Sequence, residues 1–446
     1  MEYVVLIAQL ILSLSILVVL HECGHFFPAK WFKTRVEKFY LFFDPYFSLF
    51  KKKIGETEYG IGWLPLGGYV KIAGMVDESF DTAQLQQEPQ PWEFRSKPAW
   101  QRLIIMLGGV IVNFLLGIFI FAMLYWHWGE EYLPASQVSY GIYADSLGQQ
   151  LGLQNGDKVL KVGNKPFVKF NDRVLVKEIV INGANTIEVE RNGQHVVLPV
   201  NEKFVGILSQ YDSKDKQLFT ARVPFVAGKV VADMPAGKAG IKDKDKIIAI
   251  NNMPTAYFDE FYTEIKKHKS DSVQVSVLRD DKDTISFALQ TTPEGTIGIA
   301  PLPATFFYKT EKQKYSIVEA FPAGAKKGFG FLNDQIKAFG QMFKGKIKAS
   351  ESLGGFASIT NLFPRQWDWE QFWNVTGVLS MILGFMNLLP IPGLDGGHVM
   401  FLLWEVFTGR KVSDKVMEYA TMIGFALILG LMIYANGLDI FRFLKK

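Results

Sequence analysis

The run Tyr3-Val4-Val5-Leu6-Ile7-Ala8-Gln9-Leu10-Ile11-Leu12-Ser13-Leu14-Ser15-Ile16-Leu17-Val18-Val19-Leu20-His21-Glu22-Cys23-Gly24-His25 decides how this chain is read. Residues 3–20 carry no charge and approach the ~20 residues that a membrane-spanning helix needs. A secretory leader is a poor reading of them. No Lys or Arg precedes the run, no small-residue cleavage site follows it, and His and Glu come directly after it. On a helix, positions i and i+4 share a face, so His21 and His25 can reach one metal ion. Glu22, beside the first of them, can then act as a general base toward a water held there. Ionisable groups at the end of a span are costly, which points to function.

Working outward, residues 103–128, 371–394 and 419–438 are also free of charged side chains. Composition agrees: of 446 residues, 49% are hydrophobic, 14% aromatic and only 21% charged. That excludes a disordered, collagen-like or coiled-coil chain. Cys23 stands alone, so there is no internal disulfide framework and no Cys-based zinc finger. A net charge of +4 is too small and scattered to make nucleic acid a partner. The expected fold is a polytopic α-helical membrane protein with four spans and a sizeable water-soluble insert.

Lys and Arg set the orientation. Lys30, Lys33, Arg35, Lys38, Lys51, Lys52, Lys53, Arg95, Lys97 and Arg102 lie between the first two spans, and Arg410, Lys411 and Lys415 between the last two. Both loops are expected on the cytoplasmic side and both termini outside. Arg442, Lys445 and Lys446 pull the other way, as do Lys344, Lys346 and Lys348.

By parity the insert lies outside, and it contains a repeat. Gly152-Leu153-Gln154-Asn155-Gly156-Asp157-Lys158-Val159-Leu160-Lys161-Val162 aligns with Gly240-Ile241-Lys242-Asp243-Lys244-Asp245-Lys246-Ile247-Ile248-Ala249-Ile250. In each, a helix closes on Gly and an aliphatic residue, a polar turn follows, and a strand begins. A helical segment, two strands and a Val205-Gly206-Ile207 or Ile297-Gly298-Ile299 step complete each copy. The pattern resembles two circularly permuted PDZ domains in tandem. Such domains capture peptide C-termini by adding a strand to a sheet edge, and steric screening of substrates is the alternative role. The expected divisions are 1–128 (two spans with a loop and β region), 129–215 and 216–305 (the PDZ-like α/β domains), 306–370 (a linker) and 371–446 (two spans). Within the linker, 329–348 reads as an amphipathic helix, either on the membrane surface or packed on the second repeat.

A catalytic zinc takes three protein ligands and leaves a fourth position open. No candidate follows His25 on the same helix. A carboxylate in another membrane segment would serve, and Asp395 is the one available, in Asn387-Leu388-Leu389-Pro390-Ile391-Pro392-Gly393-Leu394-Asp395-Gly396-Gly397-His398. The prolines and glycines break the helix at membrane depth, which is tolerated only against protein or a water-filled cavity. His398 is a rival ligand.

H-E-x-x-H in one span and N-x-x-P-x-P-x-x-D-G in another resemble the paired motifs of site-2 proteases, the intramembrane zinc metalloproteases. The four spans with two PDZ domains between the second and third resemble the sigma-E-regulating branch of that family in Gram-negative bacteria. The resemblance implies His21, His25 and Asp395 as ligands of Zn2+, Glu22 as catalytic base, and Asn387 as a holder of substrate backbone. Gly108-Gly109-Val110-Ile111-Val112-Asn113 matches the family's Gly-rich start to a core span, with Asn113 counted among the substrate contacts. Gly67, Gly68 and Tyr69, in a membrane-associated β-hairpin region, would offer the substrate a sheet edge. Leu41-Phe42-Phe43-Asp44-Pro45 lacks the Gly-Phe-Gly-like loop often found there. The implied substrates are single-span membrane proteins, such as an anti-sigma factor after a first cut or signal-peptide remnants. The implied setting is the bacterial inner membrane in contact with lipid, with periplasmic PDZ-like domains and an active site near the cytoplasmic side. A catalytically silent PDZ scaffold and a metal transporter are the rival readings.

Overall fold

The computed structural model describes residues 2–65, 67–75, 88–210, 213 and 216–445. They fall into two compact units, one of Met1–Gly129, Lys314–Ile336 and Leu353–Lys446, the other of Glu130–Gln313 and Lys337–Ser352.

In the first unit, three helices among the described residues are long and apolar enough to cross a membrane: Glu2–Trp31 (α1), Ala99–His127 (α2) and Lys415–Lys445. The stretch expected as a third span is split. A helix covers Trp369–Leu388 and a second begins afresh at Asp395–Thr408. Between them Pro390 and Pro392 have no amide hydrogen to give, and Gly393 takes a φ of +94°. Asp395 therefore opens a helix, whereas the sequence had it closing a span.

Small residues decide where these helices meet. A Cβ on Gly24 of α1 would lie 2.4 Å from the Gly108 oxygen of α2, and one on Gly108 would lie 1.8 Å from the Gly24 oxygen. Only a glycine pair permits that crossing. Buried hydroxyls and amides then bond across the helices in the manner of membrane interiors. Thr376 Oγ1 donates to Ser13 Oγ at 3.0 Å, Ser380 Oγ to the Asn113 carbonyl at 2.7 Å, and Gln9 Nε2 to the Pro364 carbonyl at 2.8 Å. The last helix is mostly exposed and touches the broken segment where a Cβ on Gly424 would strike the Pro392 oxygen.

Between α1 and α2 lies a four-stranded sheet of β1 (Val36–Leu41), β2 (Phe43–Ile54), β3 (Thr57–Leu64) and β4 (Tyr69–Ile72), in the order β2-β3-β1-β4. Of the expected β-hairpin region, β3 and β4 form as strands but do not pair with each other; β3 pairs antiparallel with β2. β4 pairs antiparallel with β1, which itself runs parallel to β3, so β4 is an edge strand.

Residues 329–343 lie in a longer helix, Ile317–Phe343. Its stripe Ala320, Gly324 and Gly328 is buried, and a Cβ on Gly324 would lie 2.5 Å from the Ala122 backbone of α2. Farther along, Met342 packs on the core of the first repeat.

In the second unit the two repeats fold alike. Lys158–Val162, Thr186–Arg191 and Gln194–Pro199 form one sheet, and Lys246–Ile250, Ser272–Arg279 and Asp283–Gln290 form its counterpart. The repeat extends to single side chains. Asp157 accepts from Arg191 Nε and the Gln154 amide, and Asp245 likewise from Arg279 Nε and the Lys242 amide. Arg191 and Arg279 each donate onward to the glycine carbonyl that closes the preceding helix, Gly152 and Gly240. Two details differ from the sequence reading. Val205-Gly206-Ile207 belongs to a helix, Lys203–Ser209, and the equivalent of Ile299–Pro301, which pairs with Ala227–Val230, is instead Phe219–Ala221, which pairs with Ile142–Ala144. Since Phe219–Ala221 pairs with Ile142–Ala144, the first repeat closes beyond the boundary expected at 215, a residue outside those described.

Candidate active site

Three donor atoms from two distant stretches of sequence converge in the first unit. His21 and His25 lie one turn apart inside α1, and Asp395 comes from the start of the helix after the proline break. His21 Nε2 and His25 Nε2 are 3.3 Å apart, and each is 3.4 Å from Asp395 Oδ2. Bonds of ~2.0–2.1 Å to a tetrahedral ion place its ligands about 3.3–3.4 Å from one another. The observed triangle has that size. Asp395 Oδ2 is buried and has no hydrogen-bond partner, as befits an atom that awaits a cation. Two imidazole nitrogens and one carboxylate oxygen are a zinc donor set. His398 lines the same cavity, but the cluster of ligand atoms comprises His21, His25 and Asp395.

The rings nest against bare backbone. A Cβ on Gly109 would stand 2.3 Å from His25 Nε2 and 2.6 Å from His21 Cε1. Outer contacts orient both rings: His25 Nδ1 is 2.9 Å from the Ile105 carbonyl, and His21 Nδ1 is 2.9 Å from the Asn113 side chain.

Glu22 is buried beside the two histidines and faces the backbone amide of Val70 on β4. A cavity of about 660 Å³ opens there, lined by Glu22, Asn387, Asp395, Gly68 and Tyr69 among others. Asn387 Nδ2 lies 3.4 Å from His21 Nε2, at the metal-facing side. Gly68 lets β4 come this close, since a Cβ there would meet Val18 at 2.6 Å and the Tyr40 carbonyl at 2.7 Å. Gly67 is not in the cavity wall; it faces the Phe43 ring. Asn113 is fully buried and does not line the cavity either.

The stretch without the family's glycines adopts glycine-like backbone even so. Phe42 and Tyr46 have φ of 68° and 74°, a conformation that costs a side-chain-bearing residue about 1–2 kcal/mol. Asp44 ties the segment down, accepting from Tyr69 Oη at 2.9 Å and Ser48 Oγ at 3.0 Å, while Trp63 Nε1 donates to the Pro45 carbonyl at 2.9 Å. Burial and the Asp44 bond together push the Tyr69 hydroxyl far above its ordinary pKa, so it stays a donor. No periodicity in the sequence could have revealed this clasp.

The pattern of the peptidase family M50 matches residues 9–431. The chain belongs to this family. A protein of Treponema pallidum named as a zinc metalloprotease is 27% identical over 94% of this chain and 95% of its own length. One of Pasteurella multocida with the same description is 29% identical over 98% of both. The regulator of sigma E protease of Haemophilus influenzae is 25% identical over 99% of this chain and all of its own length. This M50 member is a zinc-dependent metalloendopeptidase of the site-2 type and a membrane protein. Family membership sets aside the silent scaffold and the metal transporter.

Proposed function

We propose that this M50 peptidase cuts the membrane segments of single-span proteins, with His21, His25 and Asp395 as zinc ligands and Glu22 as the base. The observation that carries this reading is the triangle of 3.3, 3.4 and 3.4 Å with Glu22 beside it in one cavity. The chain crosses the bacterial inner membrane four times, the split pair Trp369–Leu388 and Asp395–Thr408 serving as the third crossing. The repeats lie on the periplasmic side and the site lies near the cytoplasmic side, as the Lys and Arg distribution argues.

A helix in a membrane hides every peptide carbonyl in its own hydrogen bonds, so cleavage requires local unwinding. The exposed edge of β4 supplies replacement partners through Gly68 and Tyr69, and Asn387 adds an amide at the reacting carbonyl. Zinc, when bound, supplies Lewis acidity to that carbonyl and to the attacking water. Glu22 takes the proton of that water and returns it to the departing amine. An anti-sigma factor already cut outside and signal-peptide remnants fit as substrates, because a short stub unwinds with little to restrain it.

The test is Asp395→Ala in purified protein. Zinc content and cleavage of a single-span reporter are expected to disappear together, because two neutral imidazoles hold zinc poorly. Stoichiometric zinc at a normal rate would move the third ligand elsewhere, with His398 first in line.

For the repeats we propose PDZ-like modules that screen substrates by size, with capture of peptide C-termini as the competing role. Residues 134–309 are bracketed by one ribbon, Glu130–Tyr132 paired with Glu311–Gln313, and can be replaced by a short turn if Met342 and Ile347, which pack on the first repeat, are made polar in the same variant. Screening predicts that the shortened enzyme cuts both a stub and the intact substrate with its outer domain. Initial rates on the two substrates decide: a slower stub reaction with no gain on the intact form favours capture.

A further inference from the structure

The two histidines are held by different kinds of group. His25 Nδ1 faces the Ile105 carbonyl at 2.9 Å. A carbonyl only accepts, so this ring carries its proton on Nδ1 and turns a bare Nε2 toward Asp395. His21 is turned the same way, with Nε2 3.4 Å from Asp395 Oδ2, but its Nδ1 meets the Asn113 carboxamide at 2.9 Å. A neutral imidazole has one proton. For Nε2 to offer a lone pair to a metal, Nδ1 must keep the proton and find an acceptor.

Asn113 stands with Nδ2 at that position, while its Oδ1 is buried without any partner. A donor would then face a donor, and an acceptor would be stranded in an apolar interior at a cost of about 1–3 kcal/mol. Half a turn of the carboxamide ends the donor–donor contact by putting Oδ1 on the ring N–H, with Nδ2 taking the place Oδ1 leaves. Position supports the assignment. Asn113 is wholly inaccessible, Ser380 Oγ grips its backbone carbonyl at 2.7 Å, and among the described residues its side chain bonds to His21.

We infer that Asn113 presents its oxygen to His21 Nδ1–H and so fixes the tautomer that leaves Nε2 free for zinc. It is a positioning residue for a ligand, in place of the substrate contact that the resemblance implied. The inference rests on His21 being a zinc ligand as proposed above.

The experiment is zinc affinity of the purified full-length protein, read by competition with a chromophoric chelator. Asn113→Leu and Asn113→Ala, which cannot accept, should weaken zinc binding about 10–100-fold. Asn113→Asp, which can accept, should stay close to wild type. At saturating zinc, the KM of the apolar variants for a single-span substrate should be unchanged. Metal-free melting temperatures, expected to match wild type, show that each variant is folded. Two apolar variants are used so that a folding failure in one leaves the other to decide. Wild-type affinity in either apolar variant overturns the inference, as does an equal loss in Asn113→Asp or a raised KM with zinc affinity intact. His21→Ala is the control. If it binds zinc as wild type does, the ligand reading itself has failed and this inference with it; if it loses zinc while Asn113→Leu does not, only the role of Asn113 falls.

Discussion

Glu22→Gln is expected to lower cleavage by about 10²–10⁴-fold while leaving zinc content unchanged, the size of effect a positioned general base contributes. Glutamine has the shape of glutamate and keeps an oxygen for the Val70 amide, so α1 and β4 should stay where they are. Glu22 contributes none of the three converging donor atoms. What is lost is a group able to take a proton from water and hand it to the amine. Metal content and turnover should be measured on one purified sample, because only their separation identifies a base. In cells the same variant should let membrane stubs accumulate, and their sequences would name the substrates. A Glu22→Gln protein that still turns over at the wild-type rate would remove Glu22 from the chemistry.

The convergence of His21, His25 and Asp395 was legible because its demands are local. H-E-x-x-H puts two imidazoles on one helical face whatever surrounds it, and a proline-glycine break in a span has few uses besides a site. The spans at 3–20, 103–128 and 419–438 were legible for a similar reason, since a lack of charge over that length has one ready explanation. Where meaning depends on a partner far along the chain, the sequence was silent. Nothing around Gly24 or Gly108 says that their backbones touch. The residues 390–393 read as the end of a span because periodicity cannot show that a helix restarts at Asp395. β1 pairs with β3 in parallel and with β4 antiparallel, an order that no turn signal encodes. The stripe of Ala320, Gly324 and Gly328 precedes residues 329–348, whose apolar positions fitted a surface helix and one packed on the second repeat alike. Asn113 was noticed for its motif, and its burial in the helix interior was not legible. Burial alone distinguishes a residue that meets a substrate from one that steadies a ligand.

Gly109→Ala should abolish zinc binding and activity together, although alanine is the better helix former by about 0.5–1 kcal/mol. The new methyl would lie 2.3 Å from His25 Nε2, 2.6 Å from His21 Cε1 and 2.8 Å from His21 Nδ1, all inside van der Waals contact. Shifting α2 would disturb its close packing on the helix Trp369–Leu388, where a Cβ on Gly384 would lie 2.9 Å from the Phe114 ring and Ser380 Oγ bonds the Asn113 carbonyl. Both rings must therefore swing away, which breaks the contacts to Ile105 and Asn113 and scatters the three donor atoms. Gly330→Ala is the matched control: it lies in the helix Ile317–Phe343, and nothing stands within 4 Å of the added carbon. The same substitution should there keep zinc and activity and leave the melting temperature equal or slightly raised. Zinc per chain, cleavage rate and thermal melting on the two variants separate the effects. A Gly109→Ala enzyme that melts normally, holds one zinc and cuts at the wild-type rate would mean that the rings do not sit against α2 as described, and the triangle of donor atoms would lose its support.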